Sequence, residues 1–148
     1  MPALSALTTA DIAEVMRIER LPGYDAFVGA FTADEHAAEL ASPDAIYLGF
    51  REGAGLAGFV ILQAFREPVV LLRRIAVAQT GRGTGTTLFG AAVDWIFANT
   101  AAEGVKLHVR TGNDRARHIY LREGFSVFAS DQTGDQLSVT RQVWATRS

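Results

Sequence analysis

Polar and apolar positions at the N-terminus favour a short strand followed by a helix. Residues 3–7 fit the strand, and Thr8 or Thr9 then caps a helix near residues 10–19, whose apolar side chains recur at helical spacing. The run Leu21-Pro22-Gly23 ends this helix, because proline and glycine both interrupt helical structure. An aromatic stretch without a clear period follows.

The next segments predict a second helix and then a β-hairpin. Thr32 and Glu35 have the spacing of a capping box, so a helix running to about Ala41 is expected. The period then changes to two. Residues 45–51 and 56–66 carry β-branched and aromatic side chains on either side of a glycine-containing turn, which indicates two antiparallel strands.

A strand, a glycine loop and a long helix occupy the middle of the chain. Residues 69–77 predict a strand, and glycines alternate with other residues over 81–85. Apolar residues over 88–96 mark a helix that stops before Gly104, and residues 105–109 alternate as a further strand. These elements form a βαβ unit, whose glycine loop follows the carboxyl end of a strand, where open sheets bind ligands.

The last part of the chain predicts one helix and two strands. Asn113 is expected to cap a helix that runs to about Glu123 and stops at Gly124, and two final strands flank a turn at residues 131–135. The complete order is strand, two helices, three strands, helix, strand, helix and two strands. This order predicts a mixed α/β sheet covered by helices.

Composition restricts the chemistry. The chain has 148 residues, of which 49% are hydrophobic and none is cysteine, so we expect one globular domain spanning residues 1–148. The absence of cysteine excludes thiol nucleophiles and thiolate metal sites. Fourteen basic and sixteen acidic residues give a formal charge of −2, which provides no overall attraction for nucleic acid or anionic lipid. Any phosphate binding must therefore be local.

The N-terminal segment lacks the basic end, apolar stretch and cleavage site of a secretory signal. No later run reaches the ~20 apolar residues of a membrane span. We therefore expect a cytoplasmic protein whose partners include neither membrane nor nucleic acid.

The glycine loop suits a phosphate group. Glycines at positions 81, 83 and 85 leave backbone amides uncovered by side chains at the positive end of a helix. The spacing is not G-x-G-x-x-G, because Thr86 stands where the third glycine would be, and no Gly-Lys-Ser/Thr triplet is present. A dinucleotide fold and a nucleotide triphosphatase are thus disfavoured. Taken by itself, the loop is equally consistent with an ordinary glycine-rich turn.

A second pattern follows the loop. Asn113, Ala116 and Tyr120 lie on one helical face and precede Gly124-Phe125. Here the chain resembles the GNAT superfamily of N-acetyltransferases, whose hallmark is a strand, an R/Q-x-x-G-x-G/A loop and a helix, followed by N-x-x-A-x-x-x-Y-x-x-x-G-F. The corresponding segments read RRIAVAQTGRGTGTTLFGAAVDWIF and NDRARHIYLREGF, and the resemblance spans residues 69–128.

The resemblance implies an α/β fold with a mixed, mostly antiparallel central sheet and helices on both faces. It also implies an enzyme that transfers the acetyl group of acetyl-coenzyme A (acetyl-CoA) to a primary amine by direct attack. The N–H of Val77 would stabilise the oxyanion, and Tyr120 would protonate the departing thiolate. Residues of the strand edge, the loop and the second helix would hold the coenzyme: Ile75, Ala76, Val77, Gly81, Arg82, Gly83, Thr84, Gly85, Thr86, Asn113, Ala116 and Tyr120.

The sequence departs from the superfamily pattern at the loop. Alignment on the glycines and Leu88 places Thr80 where the family has Arg or Gln, whereas distance from Val77 places Arg82 there. We prefer the first alignment, because Leu88 then packs where the helix requires an apolar residue. The loop's contacts with phosphate would be mostly backbone contacts in either alignment.

The general base is a second departure, because the strand VVLLRRIAV carries no acid. We expect the attacking amine to lose its proton through ordered water. The side chains that could replace this water are Glu19, Asp25, Glu35, Glu67 and His108.

Other polar residues receive structural interpretations. Glu35, His36 and Glu39 have helical spacing but are expected on an exposed charged face, and no metal site is predicted. Strand alternation should turn one of Arg73 and Arg74 outward, and neither is assigned a role. Aromatic residues of the first half would line an acceptor pocket or fill the core: Tyr24, Phe27, Phe31 and Tyr47.

The sequence leaves the acceptor open, because residues 1–65 match no motif. A polyamine, an amino acid, an aminoglycoside-like compound and a protein N-terminus are all compatible with it. The chief alternative function is a non-catalytic sensor that binds acyl-CoA, and a larger acyl donor such as succinyl- or propionyl-CoA is a third possibility. A homodimer is a further expectation, which sedimentation would test.

Overall fold

The computed structural model describes residues 3–21, 31–79 and 81–147. Tyr24, Asp25, Phe27 and Thr80 lie outside the described residues. The elements are β1 (Ser5–Ala6), α1 (Ile12–Glu19), α2 (Ala33–Ala41), β2 (Ala45–Glu52), β3 (Gly55–Gln63), β4 (Val69–Val77), α3 (Thr84–Asn99), β5 (Gly104–Arg110), α4 (Asp114–Arg122), β6 (Ser126–Asp131), β7 (Gly134–Thr140) and α5 (Arg141–Thr146).

Within the described residues, the seven strands form one sheet in the order β1-β2-β3-β4-β5-β7-β6. Only β4 and β5 run parallel, as the βαβ prediction requires, and all other neighbours are antiparallel. Helices α1 and α2 pack on one face, while α3, α4 and α5 pack on the other. The predicted mixed, mostly antiparallel sheet with helices on both faces is confirmed.

Local capping chemistry explains most of the element boundaries. Thr8 and Asp11 form a capping box, but it starts a 3-10 turn at Thr9–Asp11, so α1 begins later than predicted. Thr32 and Glu35 form the predicted capping box of α2, with reciprocal hydrogen bonds of 2.9 and 3.1 Å.

The strand ends differ from prediction at two turns. β3 ends at Gln63 rather than near residue 66, because Ala64 adopts a φ of 53°, which no strand residue can have. The final hairpin turn is shorter than residues 131–135, since Asp131 and Asp135 belong to β6 and β7. Helix α5 was not predicted, because its 6 residues are too few to show a helical period.

Two apolar clusters hold the layers together. On one face of the sheet, Leu88, Val93 and Ile96 of α3 pack fully buried against apolar residues of the central strands. On the other face, Val15 and Ile18 of α1 cover Phe59 and Ile61 of β3 in the same way. Apolar residues of β3 alternate between these clusters, so the strand is buried on both sides.

A buried polar network crosses the second cluster. His36 Nε2 lies 2.7 Å from Glu19 Oε1, and His36 Nδ1 lies 2.7 Å from the Tyr47 hydroxyl oxygen. Arg74 donates to Glu19 Oε2 over 3.3 Å. Because a carboxylate only accepts, His36 Nε2 carries the hydrogen. Burial raises the pKa of Tyr47, so its hydroxyl stays protonated and neutral. Burial also lowers the pKa of Arg74.

The expectation that His36 lies on an exposed charged face is wrong, because its side chain is fully buried. It shares a helical face with Leu40, which also packs against the sheet. Glu39 accepts a hydrogen bond of 2.8 Å from Gln63. Arg73 is exposed, whereas Arg74 is buried and ion-paired. The expected strand alternation does not separate them, because a bulge places both beside Phe31.

Removing the Glu19 charge should strongly destabilise the protein. Glu19→Gln leaves Arg74 as a buried cation without its carboxylate, so we expect a loss of about 3–5 kcal/mol in the free energy of unfolding, measured by urea denaturation. Glu67→Gln is the matched control, because Glu67 is exposed and has no ion pair among the described residues.

A double variant separates charge from packing. Glu19→Gln combined with Arg74→Met removes both charges, so its cost should fall below the sum of the single costs by about 0.5–3 kcal/mol. Strictly additive costs would contradict the ion-pair explanation.

Candidate active site

A cleft of about 640 Å³ lies between β4 and β5. The two strands pair only at Val69↔Gly104, Val70↔Val105 and Leu71↔Lys106. Beyond these pairs the ladder between β4 and β5 ends, although β4 continues to Val77 and β5 to Arg110. The cleft occupies the gap between them, and its volume lies within the usual range of ligand sites.

Side chains from both faces of the sheet line this one cleft. Phe89 and Tyr120 reach it from the layer of α3 and α4. Lys106 and His108 reach it from the opposite face. Leu107, which lies between them, packs against the α3 layer, and side chains alternate along a strand. The gap between the strands therefore connects the two faces of the sheet.

A β-bulge in β4 shapes the wall of the cleft. Leu62 pairs with Leu72 and Ile61 pairs with Arg74, so Arg73 is the extra residue. The guanidinium carbons of Arg73 and Arg74 lie 6.0 and 3.9 Å from the centre of the Phe31 ring. Both arginines are thus on the face that α2 covers, which a regular strand would not allow for consecutive residues.

The glycine loop leads into the uncapped start of α3. Gly81 and Gly83 have φ values of 78° and 76°, a left-handed conformation that glycine adopts without strain. Gly83 precedes the first residue of α3, and no side-chain hydrogen bond caps this helix. The first amide groups of α3 therefore lack helical partners, and the helix dipole favours negative charge at this end, where Gly83, Gly85 and Thr86 line the cleft.

The expectation that Asn113 caps α4 is wrong for its side chain. Asn113 holds the cap position but makes no capping hydrogen bond, since its ψ of 64° is far from the extended backbone of capping residues. Asp114 supplies negative charge in the first turn instead. The side chain of Asn113 is therefore not used by the helix end, and Asn113 lines the cleft.

Tyr120 is held by aromatic contacts. Its ring centre lies 4.7 Å from that of Phe89 and 6.4 Å from that of Phe125. Phe89 and Phe125 are both buried, so they fix the half-buried tyrosine against the α3 layer. Helix α4 thereby places both Asn113 and Tyr120 along the same wall of the cleft.

The profile of the acetyltransferase (GNAT) family matches residues 12–125. This chain belongs to the GNAT acetyltransferase family. The predicted family membership and enzyme class are thereby confirmed. A related protein, the 5-NmdU N-acetyltransferase of Pseudomonas phage PaMx11, is 30% identical over 97 residues, which cover 66% of this chain and 68% of the phage protein.

Solved acetyltransferases share the fold. A spermidine N-acetyltransferase from Vibrio cholerae, in complex with coenzyme A (CoA) and spermine, has a TM-score of 0.81 at 17% identity, covering 97% of this chain and 98% of that one. An aminoglycoside acetyltransferase in complex with CoA and kanamycin has a TM-score of 0.82 at 19% identity, covering 100% of both chains.

Most residues that the sequence indicated for the site line the cleft of the acetyltransferase: Ile75, Ala76, Val77, Gly81, Gly83, Gly85, Thr86, Asn113, Ala116 and Tyr120. Arg82 and Thr84 do not. They line a separate depression of about 200 Å³, where Arg82 donates a hydrogen bond to the side chain of Gln79. Leu88 is fully buried, as the preferred alignment expects.

The residues considered as general bases lie in different parts of the structure. Among the described ones, His108 lines the cleft, and its Nε2 lies 3.2 Å from Thr133 Oγ1. Glu19 is buried behind Arg74, and Glu35 is used in the cap of α2. Glu67 does not line the cleft.

Sequence reasoning missed the basic wall of the cleft. Arg73 and Arg74 were assigned no role, and Lys106, Arg110 and Arg115 were not considered, yet all line the cleft. The available signal was the period of two in β5, whose polar positions face away from the α3 layer. Among the described residues there is no cluster of three or more potential metal ligands and no helix long and apolar enough to cross a membrane.

Replacing Gly83 should destabilise the acetyltransferase through its backbone alone. A side chain at Gly83 meets no atom within 4 Å, so Gly83→Ala imposes only the left-handed conformation, at about 1–2 kcal/mol in urea denaturation. Gly90→Ala is the matched control, since Gly90 lies inside α3 with equally open surroundings. Alanine there should stabilise the fold by up to about 1 kcal/mol. Equal effects of the two changes would contradict the assigned loop conformation.

Proposed function

We propose that this acetyltransferase transfers the acetyl group of acetyl-CoA to a primary amine by direct attack, without a covalent enzyme intermediate. The observation that carries the proposal is the gap between β4 and β5, which connects an anion site at the start of α3 with the opposite face of the sheet. Two substrates can then meet within the gap. The named relatives, whose acceptors are amines, support this reaction class.

The coenzyme fits the wall formed by the loop, β4 and α4. The amides from Gly81 to Thr86 would hold the pyrophosphate, because they combine the helix dipole with uncapped N–H groups. The pantetheine arm contains amide groups, and it would lie along β4 beyond Leu71, where that strand has no ladder partner on β5. Asn113 would hydrogen-bond the arm or a fixed water.

The chemistry would take place where β4 and α4 face each other. The amine nitrogen attacks the thioester carbon, and the N–H of Val77 would stabilise the oxyanion that forms. The carbon–sulfur bond then breaks, the thiolate takes the proton of the Tyr120 hydroxyl, and the proton that the new amide nitrogen loses restores the phenol. A phenol with an ordinary pKa of about 10, compared with about 8.5 for a thiol, is protonated at neutral pH and is therefore a suitable donor.

The attacking amine must first lose a proton. We retain ordered water as the acceptor of this proton. His108 is the candidate side chain that replaces water, since it lines the cleft on the face opposite α3. The amine would then lose its proton on the face opposite α3 and attack the thioester in its neutral form.

A thermal-shift titration tests the coenzyme assignment. Acetyl-CoA or CoA at about 100 times the dissociation constant should add about 2.7 kcal/mol of stability, which for a chain of this size raises Tm by roughly 5–10 °C. NAD and ATP at the same concentration serve as controls and should give smaller shifts. No shift with either coenzyme at millimolar concentration would overturn the proposed function.

Tyr120→Phe tests the proton donor. The change removes one hydroxyl and keeps the ring that contacts Phe89, so the rate of acetyl transfer should fall by about a hundredfold or more while coenzyme affinity is retained. The measurement is kcat for wild type and variant beside their CoA dissociation constants. An unchanged kcat would exclude Tyr120 as the acid.

The same comparison separates an enzyme from a sensor. A sensor would bind the coenzyme but acetylate no amine in either form. Comparing acetyl-, propionyl- and succinyl-CoA at a fixed acceptor would identify the acyl donor.

A further inference from the structure

Positive charge is concentrated in the cleft. Arg73, Arg74 and Lys106, together called the basic face, line it on the side of the sheet opposite α3. None of the described residues that line the cleft is acidic, although the whole chain carries a formal charge of −2. This local excess of positive charge favours the binding of a negatively charged ligand.

Two side chains of the basic face are available to bind such a ligand. Arg73 is exposed and Lys106 is half-buried, and neither forms an ion pair with any described residue. Arg74 is different, because its guanidinium donates to the buried Glu19 and stacks on Phe31. Arg74 therefore completes the wall, while no described residue neutralises the charges of Arg73 and Lys106.

Lys106 is too far from the glycine loop to bind the phosphates of the coenzyme. Lys106 is paired with Leu71, which precedes Val77 by six residues. At about 3.3 Å per residue, this separation is about 20 Å along the strand, and the loop begins beyond Val77. Lys106 also faces the side of the sheet opposite the helix whose N-terminus forms the anion site.

The charge of the cleft disfavours polycationic acceptors. Spermine and kanamycin, present in the two solved complexes above, carry several ammonium groups. In this chain such acceptors would meet like charges and, over residues 3–21, 31–79 and 81–147, no lining carboxylate, which is an arrangement that selects against them. An acceptor with one amine and one anionic group would instead be bound by opposite charge.

We propose that the acceptor is an amine that also carries a carboxylate or phosphate group, and that Arg73 and Lys106 bind this anionic group on the face opposite α3. The proposal rests on the proposed function, since it assumes that an amine enters the cleft beside a bound coenzyme. A guanidinium and an ammonium group provide charge-assisted hydrogen bonds to such oxygens.

Calorimetric binding to the enzyme loaded with CoA tests the proposal without turnover. The probes are matched pairs: phosphoethanolamine against ethanolamine, β-alanine against propylamine, and 5-aminomethyluridine with and without a 5′-phosphate. Spermidine is the polycationic probe. The anionic member of at least one pair should bind about tenfold or more tightly than its neutral partner, and tighter than spermidine. The preferred pair distinguishes a carboxylate from a phosphate.

Variants connect the preference to the basic face. Arg73→Gln combined with Lys106→Gln should remove the preference for anionic amines, measured as the ratio of the two affinities within each pair. Arg66→Gln is the matched control, because Arg66 is exposed, lies outside the cleft and has no ion pair among the described residues. Equal affinity within every pair, a preference for spermidine, or a preference that survives in the double variant would overturn the proposal.

A separate measurement identifies failure of the proposed function. Acetylation of the same amines is followed with acetyl-CoA. Binding preference without acetylation would overturn transfer but support the anionic ligand, whereas acetylation without the preference would overturn only the acceptor class. Failure to bind CoA would overturn both.

Discussion

The separation of β4 and β5 beyond Leu71↔Lys106 is the constraint on which the rest of the structure depends. Leaving a sheet unpaired at its centre exposes backbone donors and acceptors that a continuous ladder would satisfy, and such groups are costly when buried. Here the unpaired stretch faces a cleft, where a ligand or water can satisfy these groups. On their other edges, β5 pairs with β7 from Gly104↔Thr140 to Arg110↔Gly134, and β4 pairs with β3 from Gln63↔Leu71 to Gly58↔Val77 apart from the bulge. The opening is therefore local, and the surrounding sheet keeps its order.

The buried network reinforces the same region from the opposite face. Glu19 ends α1, His36 lies in α2, Tyr47 in β2 and Arg74 immediately follows the bulge of β4. One carboxylate thus connects two helices to the strand that forms the wall of the cleft. Buried ion pairs contribute little net stability compared with apolar packing, but they tolerate few alternative arrangements. We interpret the network as a device that fixes the position of the bulge.

Features coded by adjacent residues could be predicted from the sequence. The capping box of Thr32 and Glu35, the βαβ unit and helix α4 with its Tyr120 all depend on local spacing, and the structure shows each of them. The burial of His36 depends on Glu19 and Tyr47, which are distant in sequence, so no local pattern contains it. Likewise, helical spacing placed Asn113 before α4 but could not give the backbone angle that turns its side chain away from capping.

The net charge of the chain did not indicate the charge of the cleft, for a physical reason. Net charge sums over the whole chain, whereas a bound ligand responds to charges within about one Debye length, which is about 8 Å at physiological ionic strength. The anion site at α3 and the basic face are separated by more than this length, as the strand spacing shows. Each can therefore hold its own anionic group with little repulsion between them. With an anionic acceptor, as proposed, the two substrates would bind on opposite faces of one sheet, and only their uncharged reacting ends would meet in the gap.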